Sequence, residues 1–318
     1  MKRREFIQSL IAGGAGLSFS LTTSASTRHQ GAFEHSFPQL QTFDFETISV
    51  DGNGNTVEKW RRQAKFFREQ LLDGVGIDMV AVDGQAFLMG AAARDPRRGP
   101  YDCTLRCDES PPFFMGKTAV TQEQWRAVAR LPSVNRELDP SPACFSGDQH
   151  PVECVSWHDA QEFCARLSKH TGHGYRLPSE AEWEGACRAG TTGPFHFGAT
   201  LTGDLANYGA VHAYDAEPSG AYRRSTTHVA QFIPNGNGLY DMHGNVWEWC
   251  ADRWHDIYRG SPDASTAASG GESDRRTLRG GSWADNPAKL RSASRSGYSA
   301  TSLNRIVGFR LALSFAAA

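Results

Sequence analysis

The stretch NGNGLYDMHGNVWEWCADRW, Asn235 to Trp254, decides how the chain is read. Tryptophans stand at positions 247, 249 and 254. Each takes up a large volume, and its indole N–H needs an acceptor once buried. Asn245 and Glu248 stand three apart beside Gly244, with the Val246 carbonyl between them. Hard cations such as calcium take carboxylate, amide and carbonyl oxygens from one tight loop. The same spacing also fits an Asx turn at Asn245 and an ion pair between Glu248 and an arginine. His243 lies in the tight DMHGN turn and is expected to help fix it.

Outward from this stretch, three helices announce themselves by capping boxes. Ser179 with Glu182 opens EAEWEGACRAG, and Gly190 stands near its stop. Ser156 with Asp159 opens WHDAQEFCARLS, where Trp157, Ala160, Phe163, Cys164 and Leu167 form one apolar stripe. Thr121 with Gln124 opens QEQWRAVAR. In the first of these Glu182 is committed to capping and Glu184 faces Arg188 at i, i+4, which leaves little for a paired-carboxylate hydrolase. IDMVAVDGQAFLMG reads as two short strands around Asp83-Gly84. FDFETISVDGNGNTVEKWRRQAKFF reads as a hairpin followed by a short helix, within an extension over residues 27–75 that begins as a polar lead. After Gly190 come turns and short apolar pieces, and VGFRLALSF closes the chain as a strand. The order implies α+β, with helices early and irregular β late. No internal repeat is found.

The 318 residues suit one large domain with additions or two modest ones, and eight Trp with eighteen Phe supply core area without metal or disulfide staples. A net charge of −2 leaves no electrostatic footprint for nucleic acid. Residues 1–26, with Arg3-Arg4 ahead of an apolar run and small residues, resemble a twin-arginine signal peptide. An exported, periplasmic or extracellular protein is expected, with no membrane attachment once the signal is removed. Seven cysteines in an exported chain permit disulfides, and the odd number leaves one over. Cys103 and Cys107 are weak evidence for zinc, with no second such pair nearby.

LRGGSWADNPAKLRSASRSG, Leu278 to Gly297, looks like the edge of a site, yet it holds no His, no Cys and one acid. The two glycines let a backbone come close to something. Catalytic candidates are Ser282 and Asn286 as hydrogen-bonding groups and Asp285 as acid, base or ligand. Trp283, Arg291 and Arg295 are the substrate-binding candidates, the arginines orienting carboxylates or, equally, pairing inside the domain. Phosphate loops, dinucleotide fingerprints, nucleophile elbows and H-E-x-x-H motifs are absent.

MVAVDGQAFLMG, GKTAVTQEQW, PVECVSWHDAQEFC, YRLPSEAEWEGACRAGT, NGLYDMHGNVWEWCADRW, LRGGSW and VGFRL occur in that order. Together, over residues 76–318, they resemble the formylglycine-generating enzyme, or sulfatase-modifying-factor, family. The resemblance implies one irregular α+β domain related to the C-type lectin-like fold, with little regular secondary structure. It also implies oxidation of a sulfatase cysteine with oxygen and copper(I) held by two cysteines. In the register of this chain those cysteines fall at Asp285 and Leu290. A carboxylate and an alkyl chain do not replace the soft thiolates that select copper(I). Ser282 matches the family's active-site serine, and Asn286 stands where a histidine is frequent. Asn245, Val246 and Glu248 match a structural calcium region. Asn207 matches part of a second calcium site whose acidic partner, expected near residues 221–223, is missing. The resemblance leaves the redox metal open. It points to an exported protein that modifies a peptide or peptide-derived metabolite, oxidatively or otherwise, rather than a sulfatase cysteine. The alternative is a non-catalytic, lectin-like module that binds peptide or glycan.

Overall fold

The computed structural model describes residues 39–92, 97–256 and 274–314, and the signal-like segment lies outside them. Strands β1 (Gln41–Val50) and β2 (Thr56–Gln70) form an antiparallel hairpin. Its turn is closed by Asp51, whose Oδ1 accepts from the amides of Asn53 and Asn55 at 2.9 Å each. The short helix expected after the hairpin is instead the fifteen-residue β2. The reason is tertiary. As a strand the segment pairs with β1 on one side and β3 (Gly76–Val82) on the other. It also sends Phe66 and Phe67 to opposite faces. Phe67 packs edge-on against Phe114 at 4.9 Å, while Phe66 joins the cluster of Val80, Met115 and Trp183. The hairpin therefore belongs to the same sheet as β3 and the strands beyond it.

After β3 come β4 (Gln85–Met89), β5 (Arg106–Ser110) and β6 (Phe113–Gly116), then α1 (Gln122–Ala129), α2 (Trp157–Thr171), β7 (Tyr175–Arg176) and α3 (Glu180–Arg188). The later strands are β8 (Trp247–Arg253), β9 (Arg275–Arg279), β10 (Arg295–Ser299), β11 (Val307–Phe309) and β12 (Ala312–Ser314). One sheet has the order β1-β2-β3-β6-β12-β7 and a second β10-β9-β8-β11, while β4 and β5 pair separately. All three capping boxes form as the sequence requires. VGFRLALSF does not run as one strand. Val307–Phe309 lies parallel to β8, and Ala312–Ser314 crosses to the other sheet against β6 and β7. Arg310 sits at this crossing, wholly buried.

Candidate functional site

The Gly280-Gly281 pair adopts φ of +99° and +76°, a backbone that residues with a Cβ rarely reach. A Cβ on Gly281 would lie 2.8 Å from the Leu290 side chain, so what the glycine lets the backbone approach is Leu290. The turn delivers Ser282, whose hydroxyl donates to Asp285 Oδ2. The Trp247 indole N–H donates to the same oxygen at 2.8 Å. Gly209 N–H donates to the Asp285 carbonyl at 2.8 Å and ties down the backbone. Burial pushes the Asp285 carboxyl above its ordinary range, against the opposing pull of the Ser282 and Trp247 hydrogen bonds. Burial also raises the Tyr298 phenol, and the neighbouring Asp285 charge adds to the rise. Ser282 is fully buried, whereas Asp285 is half-buried and Asn286 exposed. Of the hydrogen-bonded pair, Asp285 is therefore the member nearer solvent.

The remaining candidates are placed differently from the sequence expectation. Asn286 caps a short 3-10 turn over Pro287–Leu290, with its side chain accepting from the Ala288 amide. Trp283 is buried, donates to the Arg305 carbonyl at 3.2 Å and packs against Phe145 and Tyr222. Arg291 pairs with buried Asp102 at 2.7 Å. Arg295 is held by Glu180, with Nη2 to Oε2 at 2.9 Å, and donates to the carbonyls of Tyr101 and His255. Both arginines border a small cavity of about 130 Å³ with Tyr101, Asn286 and Lys289, but their charges are already answered from within the domain. Glu184 takes Arg188 at 2.8 Å and also Arg279, so the acids of α3 hold the fold. A larger cleft of about 500 Å³ lies elsewhere, between β3 and α1. Its Arg68 and Lys117 pair with Asp78.

Of the oxygen donors named for calcium, Asn207 and Asn245 lie side by side, while Glu248 is turned to an arginine. Asn245, at φ +65°, accepts from Asn207 Nδ2 at 3.2 Å and from the Thr227 amide at 2.9 Å. Asn207 Oδ1 and Thr227 Oγ1 are buried without a hydrogen-bond partner. Glu248, however, lies on β8 with both carboxylate oxygens taken by Arg310, at 2.8 and 2.9 Å, and with the Trp183 indole at 2.6 Å. A cation on Glu248 would stand beside a buried guanidinium, so Glu248 is not free to serve as a calcium ligand. Of the alternatives open at Glu248, the structure takes the arginine pair.

Behind Leu290 lies His243, the turn residue. Its Nδ1 donates to the Leu290 carbonyl at 2.6 Å, which leaves Nε2 to accept from the His196 amide at 3.0 Å. Burial, helped by the nearby Arg188 charge and opposed by the hydrogen bond to Leu290, keeps this imidazole neutral, with its pKa lowered to about 4. The folded pKa lies below the unfolded one, so its contribution is complete above about pH 6.5 and is lost as pH falls toward 4. The loss amounts to about 3 kcal/mol. Asp241, raised by burial to about 6, acts in the opposite sense over the same window. The expected signature is therefore a difference between variants. Denaturant unfolding of His243→Gln at a series of pH values should show a weaker fall in stability between pH 6.5 and 4 than wild type, and parallel curves would refute the assignment.

Fold and site together define a loop-rich α+β domain in which a double-glycine turn presents a serine hydrogen-bonded to an aspartate three residues on. Residues 70–315 match the family model described as "Sulfatase-modifying factor enzyme 1-like domain", and the chain belongs to that family. It is 36% identical over 173 residues to the formylglycine-generating enzyme of Streptomyces coelicolor, covering 51% of this chain and 52% of that protein. It is 30% identical over 223 residues to the chaperone protein LppX of Paenibacillus barcinonensis, covering 57% and 73%. The chain spans about half the length of the first of these, and only 24% of the serine/threonine-protein kinase pkn1 of Chlamydia caviae, to which it is 34% identical over 166 residues. Among solved structures, PvdO from Pseudomonas aeruginosa superposes with a TM-score of 0.66 at 29% identity, covering 78% of this chain and 98% of that one. CarF superposes with a TM-score of 0.53 at 25% identity, covering 75% and 98%.

Sequence reasoning missed Trp247 and Tyr298 as neighbours of Asp285. The crowding of tryptophans around position 247 was the available signal for the first, and nothing in the sequence marks the second.

Proposed function

We propose that the chain is an exported, formylglycine-generating-enzyme-like protein that modifies a peptide or peptide-derived metabolite bound over Asp285. One observation carries this reading. At a position where family members use a copper thiolate, the chain holds a carboxylate oriented by Ser282 and Trp247. Such a group, raised above its ordinary range by burial, suits proton transfer to or from a bound substrate. With Asp285 and Leu290 at the thiol positions, copper(I) chemistry of the sulfatase-modifying kind has no ligands at this site. The test is to incubate purified protein with a library of short peptides in air and follow peptide mass. Wild type is expected to convert a subset, and Asp285→Asn not to. Equal conversion by both removes Asp285 from the mechanism.

The second reading, a lectin-like module that binds without turnover, draws on the internal pairing of Arg291 and Arg295 and the burial of Ser282. Retention of a peptide with no change of mass is its expected result. The proposal of export rests on the twin-arginine-like pattern of residues 1–26. Replacing Arg3 and Arg4 together by lysine should keep a tagged full-length chain inside the cell, as seen by fractionation and blotting, whereas unchanged export would rule out the twin-arginine route.

A further inference from the structure

Only one group of three metal-binding side chains draws together among the described residues: Cys144, Glu153 and Cys154, whose ligand atoms all lie within 4.8 Å of one another. The two Sγ atoms are 3.1 Å apart. Glu153 is fully buried. Its Oε1 accepts from the Phe145 amide at 2.8 Å, but its Oε2 is buried with no hydrogen-bond partner. An ionised carboxylate in that state is costly unless a cation or a set of donors answers it. The loop that presents Cys144 is fixed from both sides, since Gln122 donates to the Phe145 carbonyl at 2.7 Å and accepts from the Gly147 amide at 3.2 Å. Cys154 is held at φ +58°, an uncommon conformation for a residue with a Cβ, and its amide donates to the Asn304 carbonyl at 3.1 Å.

We propose that Cys144, Cys154 and Glu153 form a thiolate–carboxylate site for a borderline-soft divalent cation of the zinc type. Two sulfurs at this separation leave room for an ion about 2.3 Å from each, and opening them to roughly 3.8 Å would give tetrahedral angles. The third ligand is the unpartnered Glu153 Oε2, while Phe145 orients the carboxylate through its other oxygen. Cys144 is exposed, so a fourth position remains open to water or a ligand. A disulfide accounts for less. It would require the sulfurs to close by about 1 Å, and it would still leave the buried Glu153 Oε2 without a partner. The site adjoins the Asp285 region through an aromatic contact, Phe145 against Trp283 at 5.4 Å. It does not use Asp285, so loss of metal binding and loss of turnover are separable.

The test loads the reduced, full-length chain with cobalt(II) and then competes with zinc. Wild type is expected to develop a thiolate-to-cobalt charge-transfer band at one ion per chain, which zinc abolishes. Cys144→Ser and Cys154→Ser should each lose the band. Glu153→Gln, which keeps an oxygen for the Phe145 amide and hence the loop, should retain the fold and bind at least about tenfold more weakly. Melting curves check that the variants are folded. Absence of the band in reduced wild type, variants that bind as tightly as wild type, or a Cys144–Cys154 cross-link seen as a loss of two hydrogens in protein isolated from the producing cells would each overturn the proposal.

Discussion

Arg310→Met is expected to lower the free energy of unfolding by about 3–5 kcal/mol, the cost of leaving a buried charge without its partner. Arg310 is wholly buried where the chain crosses between the two larger sheets. Its guanidinium binds both oxygens of Glu248 on β8 and also donates to the carbonyls of Gly116 and Tyr240 at 2.9 and 2.8 Å. Methionine fills similar space but offers no donor. It strands the Glu248 carboxylate with Trp183 alone and leaves two buried carbonyls short of a hydrogen bond. The double variant Arg310→Met with Glu248→Gln removes the stranded charge and keeps an acceptor for the indole, so it should recover part of the loss. A single variant that costs less than about 1 kcal/mol, or a double variant no better than the single, would show that the ion pair does not hold the crossing.

Asp285→Asn is expected to reduce peptide conversion by at least about 100-fold in kcat/KM while leaving the melting temperature close to wild type. The amide has the shape of the carboxylate and can still accept from Ser282 and Trp247, so the fold around the double glycine survives. What it loses is the capacity to take or give a proton. Ser282→Ala tests the hydroxyl as a positioning group. The Ser282 hydroxyl stabilises the ionised carboxylate, so its removal should raise the pKa of Asp285 further. The pH–activity limb that belongs to Asp285 should then move to higher pH, with a smaller loss of rate than Asp285→Asn shows. A profile that falls in height without moving would mean that Ser282 acts by packing alone. Trp247→Phe removes the other donor and should move the limb in the same direction.

Local chemistry settles much of this molecule. Thr121, Ser156 and Ser179 start their helices because each cap finds its partner three residues on. The Asp51 turn and the glycine stop of α2 are equally local. The tryptophans of the opening stretch announce their own burial, and each indole finds an acceptor, at Asp285, the Val155 carbonyl and Asp256. Ser282 and Asp285 are legible because they lie three residues apart on one turn. The cap spacings, the turn residues and the ordered motifs that point to the family were thus determined by the sequence itself.

Only the tertiary structure decided the rest. Thr56–Gln70 carries enough Glu, Lys, Arg and Gln to read as a helix, and it became a strand because sheet neighbours took both its edges. Glu248 could face a cation or an arginine, and Arg310, 62 positions away, answered it. Arg295 is taken by Glu180 from 115 positions away, and Cys144 meets Cys154 beside a buried acid. Turns and caps are closed by atoms a few bonds apart, so neighbouring residues specify them. A buried charge is satisfied by whichever partner the packed chain brings within about 3 Å, and no spacing along the sequence encodes that choice.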